Sequence, residues 1–318
     1  MQATEQVPGP LTVLVPSDLA DTAWPAFRAE GADGLRLLPY QPEELFDAGA
    51  AGAEVLVPPF FARPEFVQRT AVQLPKLRLV QLLTVGADAW LGRLPAGVAL
   101  STARGAHSAA TAEWVLAVLL ASYRELPAFL EHARHGRWET RTTDGLFGKR
   151  VLVVGAGDVG RQVRKRLLAC DAEVTMVSRR GRDGVRPVAE LPSLLPHHDA
   201  VVLIVPLTSD TRGLVDAAFL AAMPDGALLV NAARGPVVDT AALLAELAGG
   251  RLRAALDVAD PEPLPPDHPL WTAPNVLITP HVAGSVAGAY QRALRVAARQ
   301  IAAFAAGRQP DNLVRDGY

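Results

Sequence analysis

Three short segments in the second half of the 318-residue chain carry side chains suited to proton transfer on a carboxylic acid. Asn231-Ala232-Ala233-Arg234-Gly235 supplies a guanidinium, whose planar fork matches a carboxylate. Leu256-Asp257-Val258-Ala259-Asp260-Pro261-Glu262-Pro263 supplies acids, and Thr279-Pro280-His281-Val282-Ala283-Gly284 an imidazole, which exchanges protons near neutrality. Singly, Arg234 also reads as a surface ion-pair residue, Glu262 as a solvated loop acid and His281 as a capping or core histidine. Together they form a set: a cation for a carboxylate, an imidazole for the proton, and an acid to orient the imidazole.

A fourth segment binds rather than reacts. Arg150–Val154 runs into Gly155-Ala156-Gly157-Asp158-Val159-Gly160 and then the helical stretch Arg161–Ala169, the strand–turn–helix context a dinucleotide fingerprint requires. Gly155 permits the tight turn, Gly157 lets the backbone approach a pyrophosphate, and Gly160 allows close helix–strand packing, with helix amides facing the phosphates. About 20 residues on, where an acid would hold a ribose 2′-hydroxyl, the chain has Ser178-Arg179-Arg180. A hydroxyl and two guanidinium groups suit a 2′-phosphate. At about 1.5–3 kcal/mol per charged hydrogen bond, they predict NADP(H) over NAD(H) by tens- to hundredfold.

The elements that must position these residues are short apolar runs alternating with helical segments. Leu11–Val15, Glu54–Val57, Arg78–Leu82 and Val98–Leu100 read as strands, with helices at Asp21–Glu30 and Pro64–Val72. A second series reads Arg150–Val154, Glu173–Val177, Ala200–Val205, Ala227–Asn231, Ala254–Asp257 and Val276–Thr279. Continuous apolar runs mark parallel strands covered on both faces, so the class is α/β with two doubly wound parallel-sheet domains. A helix from about Thr111, read as its N-cap, to Leu126 connects the two series, and Ser285–Ala306 reads as a helix returning to the first. The expected division is a substrate domain of residues 1–101 plus 284–318, with a dinucleotide-binding domain, 102–283, inserted into it.

Together these segments resemble the D-isomer-specific 2-hydroxyacid dehydrogenase family, close in character to its glyoxylate/hydroxypyruvate reductases and phosphoglycerate dehydrogenases. The resemblance covers nearly the whole chain. It rests on Gly155–Gly160, Val205-Pro206-Leu207-Thr208 with Thr211-Arg212-Gly213, Asn231–Gly235 with Val238-Asp239, Leu256–Pro263 and Thr279–Gly284. It implies a Rossmann nucleotide domain inserted in a flavodoxin-like one. It implies that Arg234 binds the substrate carboxylate and keto oxygen, that His281 is the general acid for ketoacid reduction, and that Glu262 is its partner and favours the imidazolium. Asp257 is implied to contact the nicotinamide carboxamide, with Val205, Pro206, Thr211, Ala232, Ala233 and Gly284 also lining the cofactor. In the first domain, Thr84-Val85-Gly86-Ala87-Asp88 matches the family's substrate loop, so the Val85 and Gly86 amides are implied to take the carboxylate.

Where relatives usually carry an aromatic, Ala259 stands, read as a packing change, and no substrate role is carried over to His107. Leu82, Leu83 and Trp90 suggest an apolar pocket wall, and Arg104 is the candidate for any extra basic group beside the loop. Trp138 falls near where relatives place a dimer-interface tryptophan, and the family implies a homodimer. The alternatives are a nucleotide-sensing scaffold and a formate- or phosphite-type dehydrogenase, the latter disfavoured by Ser178-Arg179-Arg180.

Composition narrows the classes. Half the residues are hydrophobic and 20% charged, enough for packed cores. The net charge of −2 argues against nucleic-acid or polybasic membrane binding. One cysteine, Cys170, excludes an internal disulfide or a cysteine-rich metal site, and His197-His198 has no other ligands nearby, so no metal is expected. Met1–Pro10 has no basic start and no apolar core, so a soluble cytoplasmic protein is expected.

Overall fold

The computed structural model describes residues 10–315 except 33, 61, 63 and 183. Residues 1–9, read above for a leader, lie outside the described residues. The chain divides into two compact units, Met1–His107 with Ala287–Tyr318, and Ser108–Val286.

The first unit begins β1 (Thr12–Pro16), α1 (Ala20–Ala29), β2 (Arg36–Tyr40), β3 (Val55–Leu56), α2 (Pro64–Gln73), β4 (Leu79–Gln81) and β5 (Ala99–Ser101). Its five strands are parallel in the order β2-β1-β3-β4-β5, the flavodoxin-like order. Successive residues of β1 face opposite layers. Val13 and Val15 join the core under α1, and Leu14 joins the one that includes Phe66 and Val67 of α2.

The second unit follows with α3 (Ser108–Tyr123), α4 (Leu126–Arg134), β6 (Arg150–Val154), α5 (Asp158–Leu168), β7 (Glu173–Ser178), β8 (Val185–Pro187), α6 (Leu191–Leu194) and β9 (Ala200–Leu203). It continues α7 (Ala217–Ala222), β10 (Leu228–Asn231), α8 (Thr240–Ala248), β11 (Arg253–Leu256) and β12 (Val276–Ile278). All seven strands are parallel, ordered β12-β11-β10-β9-β6-β7-β8, so the order reverses between β6 and β9. Leu152 and Val154 pack on one face with residues of α7 and α8, Val151 and Val153 on the other with residues of α3 and α5. Burial on both faces is why these strands read as unbroken apolar runs. The last helix, α9 (Ala289–Ala305), returns to the first unit and packs against α1 with Ala293, Leu294, Ala297 and Ile301 buried.

Two strands escaped the sequence reading, β2 and β8. Each is an edge strand containing a proline, Pro39 or Pro187, tolerated because an edge residue need not donate to a neighbour. The connecting helix starts at Ser108, so Thr111 lies inside its first turn and is not its cap. Leu82, Leu83 and Trp90 are buried core residues rather than a pocket wall.

His198 is structural. Its Nδ1–H donates to the Leu194 carbonyl at 2.7 Å, and Nε2 accepts from the Thr175 hydroxyl at 2.9 Å. Among the described residues no group of three or more His, Cys, Asp or Glu side chains is placed to hold a metal ion. Burial holds the His198 pKa below its ordinary value. Its contribution to stability is therefore full above the unfolded value of about 6.5 and is lost as pH falls toward the lower folded one. Urea midpoints of the wild type should drop between pH 8 and pH 5. His198→Gln should flatten that slope while costing about 1 kcal/mol at pH 8.

Candidate active site

Strand register sets the site. Val177, Val154, Leu203, Asn231, Leu256 and Ile278 stand opposite one another in one row across the second sheet. The residues that follow them, Ser178, Gly155, Ile204, Ala232, Asp257 and Thr279, therefore leave the sheet along one carboxyl edge, where open parallel sheets take ligands.

At the reversal point the glycines are required by space. Gly155 has φ +123°, and a Cβ there would collide with the Ile204 carbonyl; one on Gly160 would collide with the Gly155 carbonyl. Gly157 differs. A Cβ there meets no protein atom within 4 Å, so the turn is open on that side, at the N-terminus of α5. This cradle fits a dinucleotide pyrophosphate. Asp158 and Val159 begin the helix, with Asp158 3.4 Å from Arg161.

At the end of β7, Ser178 is half-buried, and beyond it Arg179 and Arg180 are exposed. Arg179 approaches Asp210 to 4.0 Å. The sequence reading missed Arg182, whose Nη2 donates to the Ala156 carbonyl inside the glycine turn at 2.8 Å. The signal was the same basic run continuing past Gly181. After β9, Val205 and Pro206 are half-buried, and the Thr211 hydroxyl donates to the Pro206 carbonyl at 2.6 Å and accepts from the Thr208 amide at 2.8 Å. Thr211 shapes this loop.

The loop after β10 is built by Asn231, 1% exposed. Its Oδ1 accepts from the Ala233 amide at 3.0 Å, and its Nδ2 donates to the Arg234 carbonyl at 3.1 Å. Arg234 in turn donates from Nη1 to the Ala233 carbonyl at 2.7 Å. Gly235 abuts the backbone of Ala259 so closely that any Cβ would overlap it, which locks the Arg234 loop to the Glu262 loop.

Asp257 is 3% exposed, and its carboxylate gathers the histidine turn. Oδ1 accepts from the Thr279 hydroxyl at 2.6 Å and the Val282 amide at 2.8 Å, and Oδ2 from the Ala283 amide at 2.9 Å. Its backbone carbonyl accepts from the His281 amide at 2.7 Å. His281 thereby holds φ +55°, a left-handed conformation unfavourable for a residue with a Cβ. Its Nδ1 lies 2.6 Å from Oε1 of Glu262, with both side chains partly exposed. A carboxylate only accepts, so Nδ1 carries the hydrogen in this pair. Gly284 ends the turn, its carbonyl accepting from the Val286 amide at 3.2 Å.

In the first unit the Thr84 hydroxyl donates to the Gly86 carbonyl at 2.9 Å, shaping a loop on which Val85 and Gly86 are partly exposed. Arg104 does not reach this loop. Its guanidinium donates to the Asp311 carbonyl at 2.8 Å.

Comparison with known proteins gives a consistent set. Residues 116–283 match the profile described as D-isomer specific 2-hydroxyacid dehydrogenase, NAD binding domain. A glyoxylate reductase of Thermofilum pendens is 35% identical over 257 residues, covering 76% of this chain and 75% of its own. A D-3-phosphoglycerate dehydrogenase of Archaeoglobus fulgidus is 36% identical over 227 residues, 69% of this chain but 43% of that longer protein. The crystal structure of a D-isomer specific 2-hydroxyacid dehydrogenase from Xanthobacter autotrophicus Py2, in complex with NADPH and MES, superposes with a TM-score of 0.83 at 32% identity, covering 97% of this chain and 98% of that one.

If the Asp257 carboxylate organises the turn, Asp257→Asn should lower unfolding stability by about 2 kcal/mol, because an amide repels one of the donors it replaces a carboxylate for. Amide exchange at His281–Ala283 should rise in the same variant, and exchange in α5 should not.

Proposed function

The chain belongs to the D-isomer specific 2-hydroxyacid dehydrogenase family, and from that premise we propose that it reduces a small 2-ketoacid, of the glyoxylate or hydroxypyruvate type, to the D-2-hydroxyacid with NADPH. The observation that carries the reading is the 2.6 Å His281–Glu262 pair, held by Asp257 on the same sheet edge as Arg234 and the glycine turn.

The turn of Gly155, Gly157 and Gly160 at the N-terminus of α5 would hold a nicotinamide nucleotide, which when bound would supply the hydride for the carbonyl carbon. Arg234 binds the ketoacid carboxylate and draws electron density toward the keto oxygen as charge grows there. From the first unit, the Val85 and Gly86 amides serve the same carboxylate. His281 delivers its Nε2 proton to the oxygen, while Glu262 accepts from Nδ1–H and fixes the ring. Asp257 positions this histidine, and Oδ2, with one donor, keeps a lone pair for the nicotinamide carboxamide. Ser178, Arg179 and Arg180 take the ribose 2′-phosphate, joined by Arg182; the bound NADPH of the similar Xanthobacter structure supports this choice. Val205, Pro206, Thr211, Ala232, Ala233 and Gly284 belong to loops along the same edge and line the cofactor.

The same reading makes the protein a cytoplasmic homodimer. Trp138 is 98% exposed, Phe147 79% and Leu130 61%, a set of apolar side chains on the second unit that a partner copy would cover. No helix among the described residues is long and apolar enough to cross a membrane.

A ketoacid panel with both cofactors tests the function: kcat/KM should be at least about tenfold higher with NADPH than NADH, and equal values would remove the 2′-phosphate assignment. His281→Ala should lose about 10²–10⁴-fold in kcat with cofactor affinity unchanged. Light scattering should return twice the 33.7 kDa chain mass, and Trp138→Glu should lower it.

A further inference from the structure

After α9 the chain returns to the edge of the first sheet. Leu313 bridges Ser101 in antiparallel fashion, with the Val314 amide donating to the Leu100 carbonyl at 2.8 Å and the Thr102 amide to the Asn312 carbonyl at 3.1 Å. These residues thus pair with β5, the edge strand of a parallel sheet. Asn312 is buried and held from two sides. Its backbone amide donates to Oε1 of Gln300, a buried residue of α9, at 3.0 Å. Its Nδ2 donates to the Thr102 carbonyl and to the Arg104 carbonyl, each at 3.1 Å. Both hydrogens of the carboxamide are therefore used.

The grip falls on a peptide group that also bears on the Thr84–Asp88 loop. The Thr102 carbonyl and the Ala103 amide are the two ends of one planar unit. Asn312 holds the carbonyl end, and the amide end donates to the Thr84 carbonyl at 2.8 Å. The Thr84 hydroxyl in turn holds the Gly86 carbonyl at 2.9 Å. Two more bonds tie the same stretches, from the Leu82 amide to the Ser101 carbonyl at 2.8 Å and from His107 Nε2–H to the Leu83 carbonyl at 2.9 Å. A line of hydrogen bonds therefore runs from α9 through Asn312 to the loop that carries the Val85 and Gly86 amides, all within the first unit. An aspartate at 312 would turn lone pairs toward two carbonyls, and a serine would bring one hydrogen for two acceptors.

We propose that Asn312 is a positioning residue for ketoacid binding. By fixing the backbone of residues 102–104 it holds the Thr84–Asp88 loop in the form in which the Val85 and Gly86 amides meet a carboxylate. This rests on the functional reading above, which gives the substrate carboxylate to those amides. The carboxylate is not the group that reacts, so its binding serves ground state and transition state alike. Loss of loop order is then felt in KM and hardly in kcat.

Asn312→Ala should raise KM for hydroxypyruvate by about tenfold, the equivalent of one lost hydrogen bond, with kcat within about twofold of wild type. The Kd for NADPH should stay at the wild-type value, because every cofactor group assigned above lies in the second unit. Thr84→Val, which breaks the next bond in the same line, should raise KM as well, and the double variant should fall short of the product of the two effects. Amide exchange in residues 84–88 should rise in Asn312→Ala while exchange in β1 stays unchanged. If the alanine variant does not fold, Asn312→Ser, which keeps one donor, takes its place in every comparison. A wild-type KM, a loss confined to kcat, a parallel fall in NADPH affinity, or fully multiplicative effects with Thr84→Val would overturn the proposal. A wild-type protein that reduces neither glyoxylate nor hydroxypyruvate defeats the functional reading instead, and exchange in residues 84–88 still decides whether Asn312 holds the loop.

Discussion

The buried carboxylate of Asp257 is the constraint on which the candidate chemistry depends. An ionised acid at 3% exposure is tolerated only when donors surround it, and here three donors come from the turn that follows β12. The same bonds hold His281 at φ +55°, a conformation costing about 1–3 kcal/mol when unsupported. Each unfavourable feature is thus offset by the other: the turn satisfies the charge, and the charge holds the turn. The outcome is an imidazole whose Nδ1 meets Glu262 at 2.6 Å.

A second constraint is the parallel sheet. Because all seven strands run the same way, the candidate loops of the second unit emerge from one edge, in a single row from Ser178 to Thr279. Close packing then fixes the loops against each other. Gly160 seats α5 on the turn after β6, and Gly235 seats the arginine loop on the backbone of Ala259. Side chains at these two positions would separate the very elements that must converge.

Arginine is used in a consistent way. All but three of the 31 basic residues are arginines, and two at the site are oriented by backbone carbonyls. Arg182 is held by Ala156 and Arg234 by Ala233. A guanidinium has five N–H groups, so one or two can fix its plane on a carbonyl while others face outward.

The sequence by itself determined the α/β class, the two strand series, the glycine turn and the segments around Arg234, Glu262 and His281, because these are written in local patterns of burial and spacing. Tertiary structure decided the rest. Leu82, Leu83 and Trp90 looked like a pocket wall and are core, since periodicity cannot say which apolar surface a side chain meets. Strands β2 and β8 became strands by pairing at sheet edges despite their prolines. Arg104, near the substrate loop in sequence, is drawn to Asp311, whereas Arg292, far from Ala106 in sequence, closes on it. Asp257 reads as one acid among several in a loop until register brings β11 beside β12 and the 279–283 turn folds over its carboxylate. Hydrogen bonds between residues distant along the chain are set by how strands align, and that alignment is a property of the assembled sheet.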